Sequence, residues 1–136
     1  MEEILEQLQA AAQSSAWGLE KPEHEHTVDA EEQMLLPFPR DFREFLLETG
    51  DLLVGSLEPA VVADPSAHNY LPEMAANAWD LGVPRHLIPF CANPDSPKAF
   101  YCVDPDGEIQ LWWGSRQDSE SWETIWYWAR DVWLHS

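Results

Sequence analysis

Two imidazoles flanking a carboxylate, His24-Glu25-His26, are the first place in this chain to look for chemistry, because an extended segment can bring both rings to one side of a metal ion. No cysteine pair or HExxH helix supports them, so a solvated loop is the preferred reading. His68, His86 and His135 stand alone, and a lone histidine is more often a surface or satisfied core residue than a ligand. Asp104, Asp106 and Glu108 gather in the run DPDGE, which starts like a calcium loop but lacks the further oxygen ligand and the closing glutamate. A hairpin turn explains that run better. A two-carboxylate hydrolase needs a marked pair; with 25 Asp and Glu residues chance pairs abound, and no motif singles one out. There is no GxSxG nucleophile elbow, and the six glycines form neither GxGxxG nor GxxxxGK[ST]. The expectation is a protein with no catalytic residue, no cofactor and no metal site.

Charge points elsewhere. Seven Lys and Arg against 25 Asp and Glu leave a formal net charge of -18, which repels phosphate backbones and anionic membranes. Neither nucleic acid nor a membrane is an expected partner. A basic protein surface is instead drawn in at long range, with encounter accelerated by about 10- to 1,000-fold at low salt. No Lys or Arg intervenes between Arg43 and Arg85, and within that stretch Asp51, Glu58, Asp64 and Glu73 are the candidate partner-binding residues. The plainer explanation for each is a solvated side chain that keeps the protein dispersed.

The elements that would hold such a surface follow from composition and periodicity. With 136 residues, 45% of them hydrophobic and eight of them tryptophan, one folded domain is expected. No apolar run reaches about 18 residues and Met1-Glu2-Glu3 does not resemble a signal peptide, so a cytoplasmic location is expected. Cys91 and Cys102 fall on neighbouring strand-like segments and are expected as buried free thiols. Ile4, Leu5, Leu8, Ala11 and Ala12 predict a helix over 2–16, ending before Gly18; Glu20 to Thr27 reads as a loop, with a helical turn from near Asp29 to Pro37. Pro39 suits the first turn of a helix carrying Phe42, Phe45 and Leu46 and stopping at Gly50. Leu52 to Ser56 and Leu57 to Ala63 read as strands or irregular extended pieces, Asp64-Pro65-Ser66 as a turn, and Pro72 as the start of a helix ending at Gly82.

Three further apolar segments, His86 to Cys91, Ala99 to Val103 and Glu108 to Trp113, predict strands, the last two paired through Asp104-Pro105-Asp106-Gly107. Trp112 and Trp113 must point to opposite faces of their strand. Ser119 or Ser121 is expected to cap a final helix with one apolar face of Trp122, Ile125, Trp126, Ala129, Val132 and Trp133, lying on the sheet. The fold class is α+β, with a mainly antiparallel central sheet flanked by N-terminal helices and a Trp-rich C-terminal helix.

Three segments in order carry a family resemblance. Leu36-Pro37-Phe38-Pro39-Arg40-Asp41-Phe42-Arg43-Glu44-Phe45-Leu46 follows an acidic turn (Glu31, Glu32); Leu87-Ile88-Pro89-Phe90-Cys91 precedes Phe100-Tyr101-Cys102-Val103-Asp104; Gly107-Glu108-Ile109-Gln110-Leu111-Trp112 precedes Ser121-Trp122-Glu123-Thr124-Ile125. Over about residues 28–134 this pattern resembles the SUKH superfamily, which includes yeast cell-wall synthesis regulators of the Smi/Knr type and bacterial immunity proteins. Ser96-Pro97-Lys98-Ala99 and Asp51-Leu52 depart from the family's usual turns. The resemblance implies a non-enzymatic protein-binding domain, first an immunity-type protein that covers a basic toxin domain such as a nuclease. It implies second an intracellular scaffold or regulator that binds protein segments in an apolar groove. A hydrolase is the third alternative, and it requires a pocket carboxyl with a raised pKa.

Overall fold

The structure, a computed structural model, describes residues 1–13 and 20–136. Helix α1 (Glu2–Ala11) buries Ile4 and Leu8 and has Glu2 and Glu3 at its positive end. It is shorter than the expected 2–16, because Ala12 turns extended (φ -62°, ψ 135°) and the N–H of Gln13 goes to the carbonyl of Leu53 at 2.8 Å. The remainder of that expectation, residues 14–16 and the stop before Gly18, lies outside the described residues.

Helix α2 (His24–Met34) begins five residues before Asp29, so His24-Glu25-His26 is its first turn and not a loop. The cause is local: Nδ1 of His26 accepts from the backbone N–H of Glu23 at 2.8 Å, the reach-back of a capping box made by histidine where glutamate or glutamine is usual. Pro39 stands just outside helix α3 (Arg40–Thr49), one residue before the first turn expected for it, and α3 buries Phe42, Phe45, Leu46 and Thr49. Between these helices lies a polar node. The Glu31 carboxylate accepts from Arg43 Nη2 and, at 2.7 Å, from the N–H of Phe38, while Arg43 Nη1 donates to the hydroxyl of buried Thr27 at 2.6 Å. This node fixes the Leu-Pro-Phe-Pro turn between α2 and α3.

Residues 51–63 are not strands. Val54, Leu57, Ala60 and Val62 are buried, yet their backbone is irregular and is satisfied one bond at a time, apart from an isolated bridge between Val61 and Tyr70. Helix α4 (Leu71–Asp80) follows, with Pro72 in its first turn, as periodicity suggested.

The sheet is antiparallel in the order β1 (Ile88–Ala92), β2 (Ala99–Val103), β3 (Ile109–Trp113), β4 (Arg116–Trp122). The β2–β3 hairpin turns through Asp104–Gly107, where Gly107 has φ +91° and the Asp104 carboxylate accepts from the N–H groups of Asp106 and Glu108. Strand β4 was not expected. Its sequence, RQDSESW, is mostly exposed and lacks apolar alternation, and its register breaks so that Leu111 stands opposite the three residues Asp118, Ser119 and Glu120.

Because β4 takes Ser119 and Ser121, the closing helix starts later than expected. The hydroxyl of Thr124 caps α5 (Ile125–Trp128) by accepting from Tyr127 N–H at 3.2 Å, and α5 runs on as a π-helical turn (Ala129–Trp133). In an α-helix residues five apart point roughly 140° away from each other; a π turn brings them back to one side. Trp128 and Trp133 therefore both enter the core, 6.5 Å apart and nearly parallel, although Trp128 falls off the expected apolar stripe. Trp128 packs edge-on against Phe90 (4.8 Å) and Tyr101 (5.3 Å), so the helix lies on β1 and β2. The opposite face of β2 packs Phe100 and Cys102 against Ala78, Val83 and Leu87. Trp113 joins the larger core and Trp112 the smaller one, in line with the period-two expectation.

Candidate functional site

The segment 51–63 owes its shape to its neighbours. The indole N–H of Trp133 donates to the carbonyl of Val54 at 3.0 Å in the core, and the Ser136 hydroxyl accepts from Ser56 N–H (3.2 Å) and Leu57 N–H (3.3 Å). Gly55 permits that approach: it has φ +58°, and a Cβ there would sit 2.3 Å from the Ser136 hydroxyl. Further along, Ala60 N–H donates to Phe90 on the outer edge of β1 at 2.6 Å, and Val61 is bonded to Asn69 and Leu71. The apolar side chains turn inward and Glu58 and Asp64 turn out.

This course leaves two adjoining hollows. The first, about 490 Å³, has Leu52, Leu57, Ala60 and Trp133 in its walls and Glu58 and Asp64 among its lining residues. The second, about 480 Å³, lies between α4 and the β1–β2 turn, is lined by Met74, Pro94, Pro97 and Phe100, and carries Glu58 and Glu73. Leu57, Glu58, His68 and Asn69 line both, so they form the saddle between them. Neither hollow has a Lys or Arg among its described lining residues. Of the four acidic residues singled out from the sequence, the structure thus brings Glu58, Asp64 and Glu73 to one face. Asp51 lines neither hollow.

On the saddle, Glu58 is paired with His68 Nε2, both side chains being largely exposed. The Ser66 hydroxyl and N–H bond the Asp64 carboxylate at 2.7 and 2.9 Å and hold it below the usual carboxylate range. That is opposite to the raised pKa a general acid needs, so the hydrolase reading gains nothing from Asp64. Among the described residues no three His, Cys, Asp or Glu side chains are grouped to hold a metal ion. His26 and Asp29 instead line a third depression of about 430 Å³ beside Tyr70, whose hydroxyl accepts from Gln33 Nε2 at 2.9 Å.

The cysteines are free, fully buried and on separate cores, Cys91 in the larger and Cys102 in the smaller; burial pushes both thiols well up, with Glu58 adding to the shift at Cys91. Among the described residues, the buried indole N–H groups of Trp126 and Trp128 find no conventional acceptor. Both indoles pack edge-on with aromatic neighbours, Phe45 beside Trp126 and Phe90 and Tyr101 beside Trp128, whose π faces are the weak acceptors at hand. No described helix is long and apolar enough to cross a membrane.

The walls of the second hollow escaped the sequence reading. Phe100 falls in an expected strand and Pro97 in a turn; only the packing of α4 against β1 shows that they share a groove with Met74 and Pro94.

Comparison with known proteins agrees with this architecture. The family model described as SMI1-KNR4 cell-wall (SUKH_5) matches residues 1–134, which extends the resemblance to include α1. A protein from Pseudomonas syringae pv. tomato, known from its crystal structure, is 48% identical over 100% of both chains, with a TM-score of 0.93. No curated protein matches.

Proposed function

We propose, from the premise that this chain belongs to the SMI1-KNR4 cell-wall family, that it is a non-catalytic protein-binding domain of the immunity type, which neutralises a basic toxin by covering it with an acidic surface. The observation that carries this reading is the placement of Glu58, Asp64 and Glu73 around two adjoining apolar-walled hollows whose described lining contains no Lys or Arg. Carboxylates on the rim attract a basic partner and orient it; apolar walls supply the desolvated contact that holds it once docked. A nuclease fits well, because the residues it must present to phosphate are the residues such a face covers.

The apolar walls also favour a second reading, an intracellular scaffold or regulator that binds segments of protein chains. The two differ in partner and lifetime: a toxin is held tightly, a regulated client transiently. The test is co-expression with a basic-domain protein encoded beside this gene. Immunity predicts restored growth and a stable complex whose association slows as salt rises. Absence of both rescue and complex at low ionic strength refutes it, and a weak complex without rescue moves the assignment to the regulator.

A further inference from the structure

The groove between α4 and the β1–β2 turn is built to accept more than charge. Phe100, only 4% exposed, and Met74 supply apolar surface within it. One wall is the turn bearing exposed Pro94 and Pro97. That turn is braced from within: Asn93 Oδ1 accepts from Asp95 N–H at 2.8 Å, Asn93 Nδ2 donates to the Tyr101 hydroxyl at 3.3 Å, and Ser96 Oγ accepts from Lys98 N–H at 3.1 Å. With its prolines fixed in φ, the wall is set before a ligand arrives, which lowers the ordering cost of binding. Glu73 and Glu58, the latter bonded to His68 at the groove's edge, add anionic groups to this apolar lining, and Lys98, though in the same turn, does not line the groove.

An acidic rim alone attracts any cation, and an apolar floor alone attracts any hydrocarbon. Together they select a group with an aliphatic stem and a positive end. The volume, about 480 Å³, exceeds one side chain and suits a few residues of extended chain. We propose that this groove binds an extended segment of a basic partner protein, seating one lysine side chain with its methylenes along Met74 and Phe100 and its ammonium between Glu58 and Glu73. The proposal rests on the protein-binding reading above and names what the acidic face recognises.

The test uses the full chain, labelled with ¹⁵N, and three capped pentapeptides, Gly-Leu-Xaa-Leu-Gly, in which Xaa is lysine, norleucine or glutamate. The lysine peptide should perturb amides of Met74, Asn77, Ala92 and Phe100. It should bind about three- to ten-fold more tightly than the norleucine peptide, the range expected for contact with two exposed carboxylates. The glutamate peptide should not bind. Glu73→Gln should bring the lysine peptide close to the norleucine affinity, while Glu32→Gln, an acidic site outside the groove, should leave it unchanged. Equal binding of lysine and norleucine peptides, perturbations that map elsewhere, or indifference to Glu73→Gln overturns the proposal. A toxin complex that forms normally with Glu73→Gln overturns it while leaving the protein-binding function standing. A lysine peptide that binds as described, in a chain that binds no basic protein, supports the groove and counts against the immunity role.

Discussion

Replacing Trp133 by phenylalanine removes the indole N–H that reaches the carbonyl of Val54 in the core, and with it the buried tie between the π-helical turn and the segment that carries Glu58. The carbonyl is left unsatisfied away from water, which costs about 1–3 kcal/mol. The smaller ring also leaves a void of roughly 40 Å³, worth about 1 kcal/mol at about 24 cal/mol per Å³. Edge-on contact with Phe45 and stacking with Trp128 survive in part, so the sum is about 2–4 kcal/mol. For a chain of this size each kcal/mol shifts Tm by about 3–5 °C, which gives a fall of about 6–20 °C in a calorimetric scan. Ser136→Ala is the companion variant. Its hydroxyl serves two backbone N–H groups at longer distances, one of them exposed, so water replaces it for less than about 1 kcal/mol. Hydrogen exchange at the amides near Val54 should quicken in Trp133→Phe before global unfolding sets in. If Trp133→Phe is no more damaging than Ser136→Ala, the buried bond is not what fixes the segment and the argument fails.

Four other outcomes follow from the same structure. Glu31→Gln should cost about 1–3 kcal/mol in urea unfolding, because the charge-assisted bond to Arg43 becomes a neutral one and the Phe38 N–H loses its anionic acceptor. Stability should fall as pH rises past about 9, the ordinary thiol value: Cys91 and Cys102 have raised folded pKa values, so only the unfolded chain loses those protons there, and each thiol contributes a slope of about 1.4 kcal/mol per pH unit, read from chemical denaturation at stepped pH. Tyr101, pushed up to about 12 by burial, adds a loss in the same direction above pH 10. A thiol reagent at pH 8 should leave native protein unmodified and react with two thiols after denaturation; fast native reaction would contradict their burial. Charge reversal of Asp64 and Glu73 together should slow association with a basic partner at low salt by about ten-fold or more, and stopped-flow rates equal to wild type would remove this face from consideration.

What the sequence made legible, and what it hid, divides along physical lines. Helices α3 and α4 were visible because their buried positions recur at helical spacing and proline stands at their starts. Strands β2 and β3 were visible because both are apolar and a Pro-Gly turn joins them. Strand β4 was hidden because an exposed edge strand needs no apolar alternation, and its serines imitate helix caps. For the segment 51–63 the sequence left strand and irregular backbone both open, and the structure takes the irregular course. Val54, Leu57, Ala60 and Val62 are buried as a strand's inward side chains would be, but tertiary bonds to Phe90, Trp133 and Ser136 shape the backbone instead of a ladder. The early start of α2 turned on His26 serving as a capping residue, an unusual choice at that position. For the candidate site, the absence of Lys and Arg between Arg43 and Arg85 drew attention to Glu58, Asp64 and Glu73, which line the two adjoining hollows. Nothing local could have named Met74, Pro94, Pro97 and Phe100 as its walls, since they meet only after the sheet has formed.

The two borders of the sheet are closed by different devices, and that bears on how the protein behaves when crowded. Along β1 the open row of peptide groups is interrupted where Ala60 docks onto Phe90. Along β4 the break opposite Leu111, with Asp118 and Glu120 in it, spoils the straight template that a second molecule would need. Copies of this chain should therefore resist zipping into fibrils even in concentrated solution, and a variant that trims the three residues opposite Leu111 to one should be the first to form them.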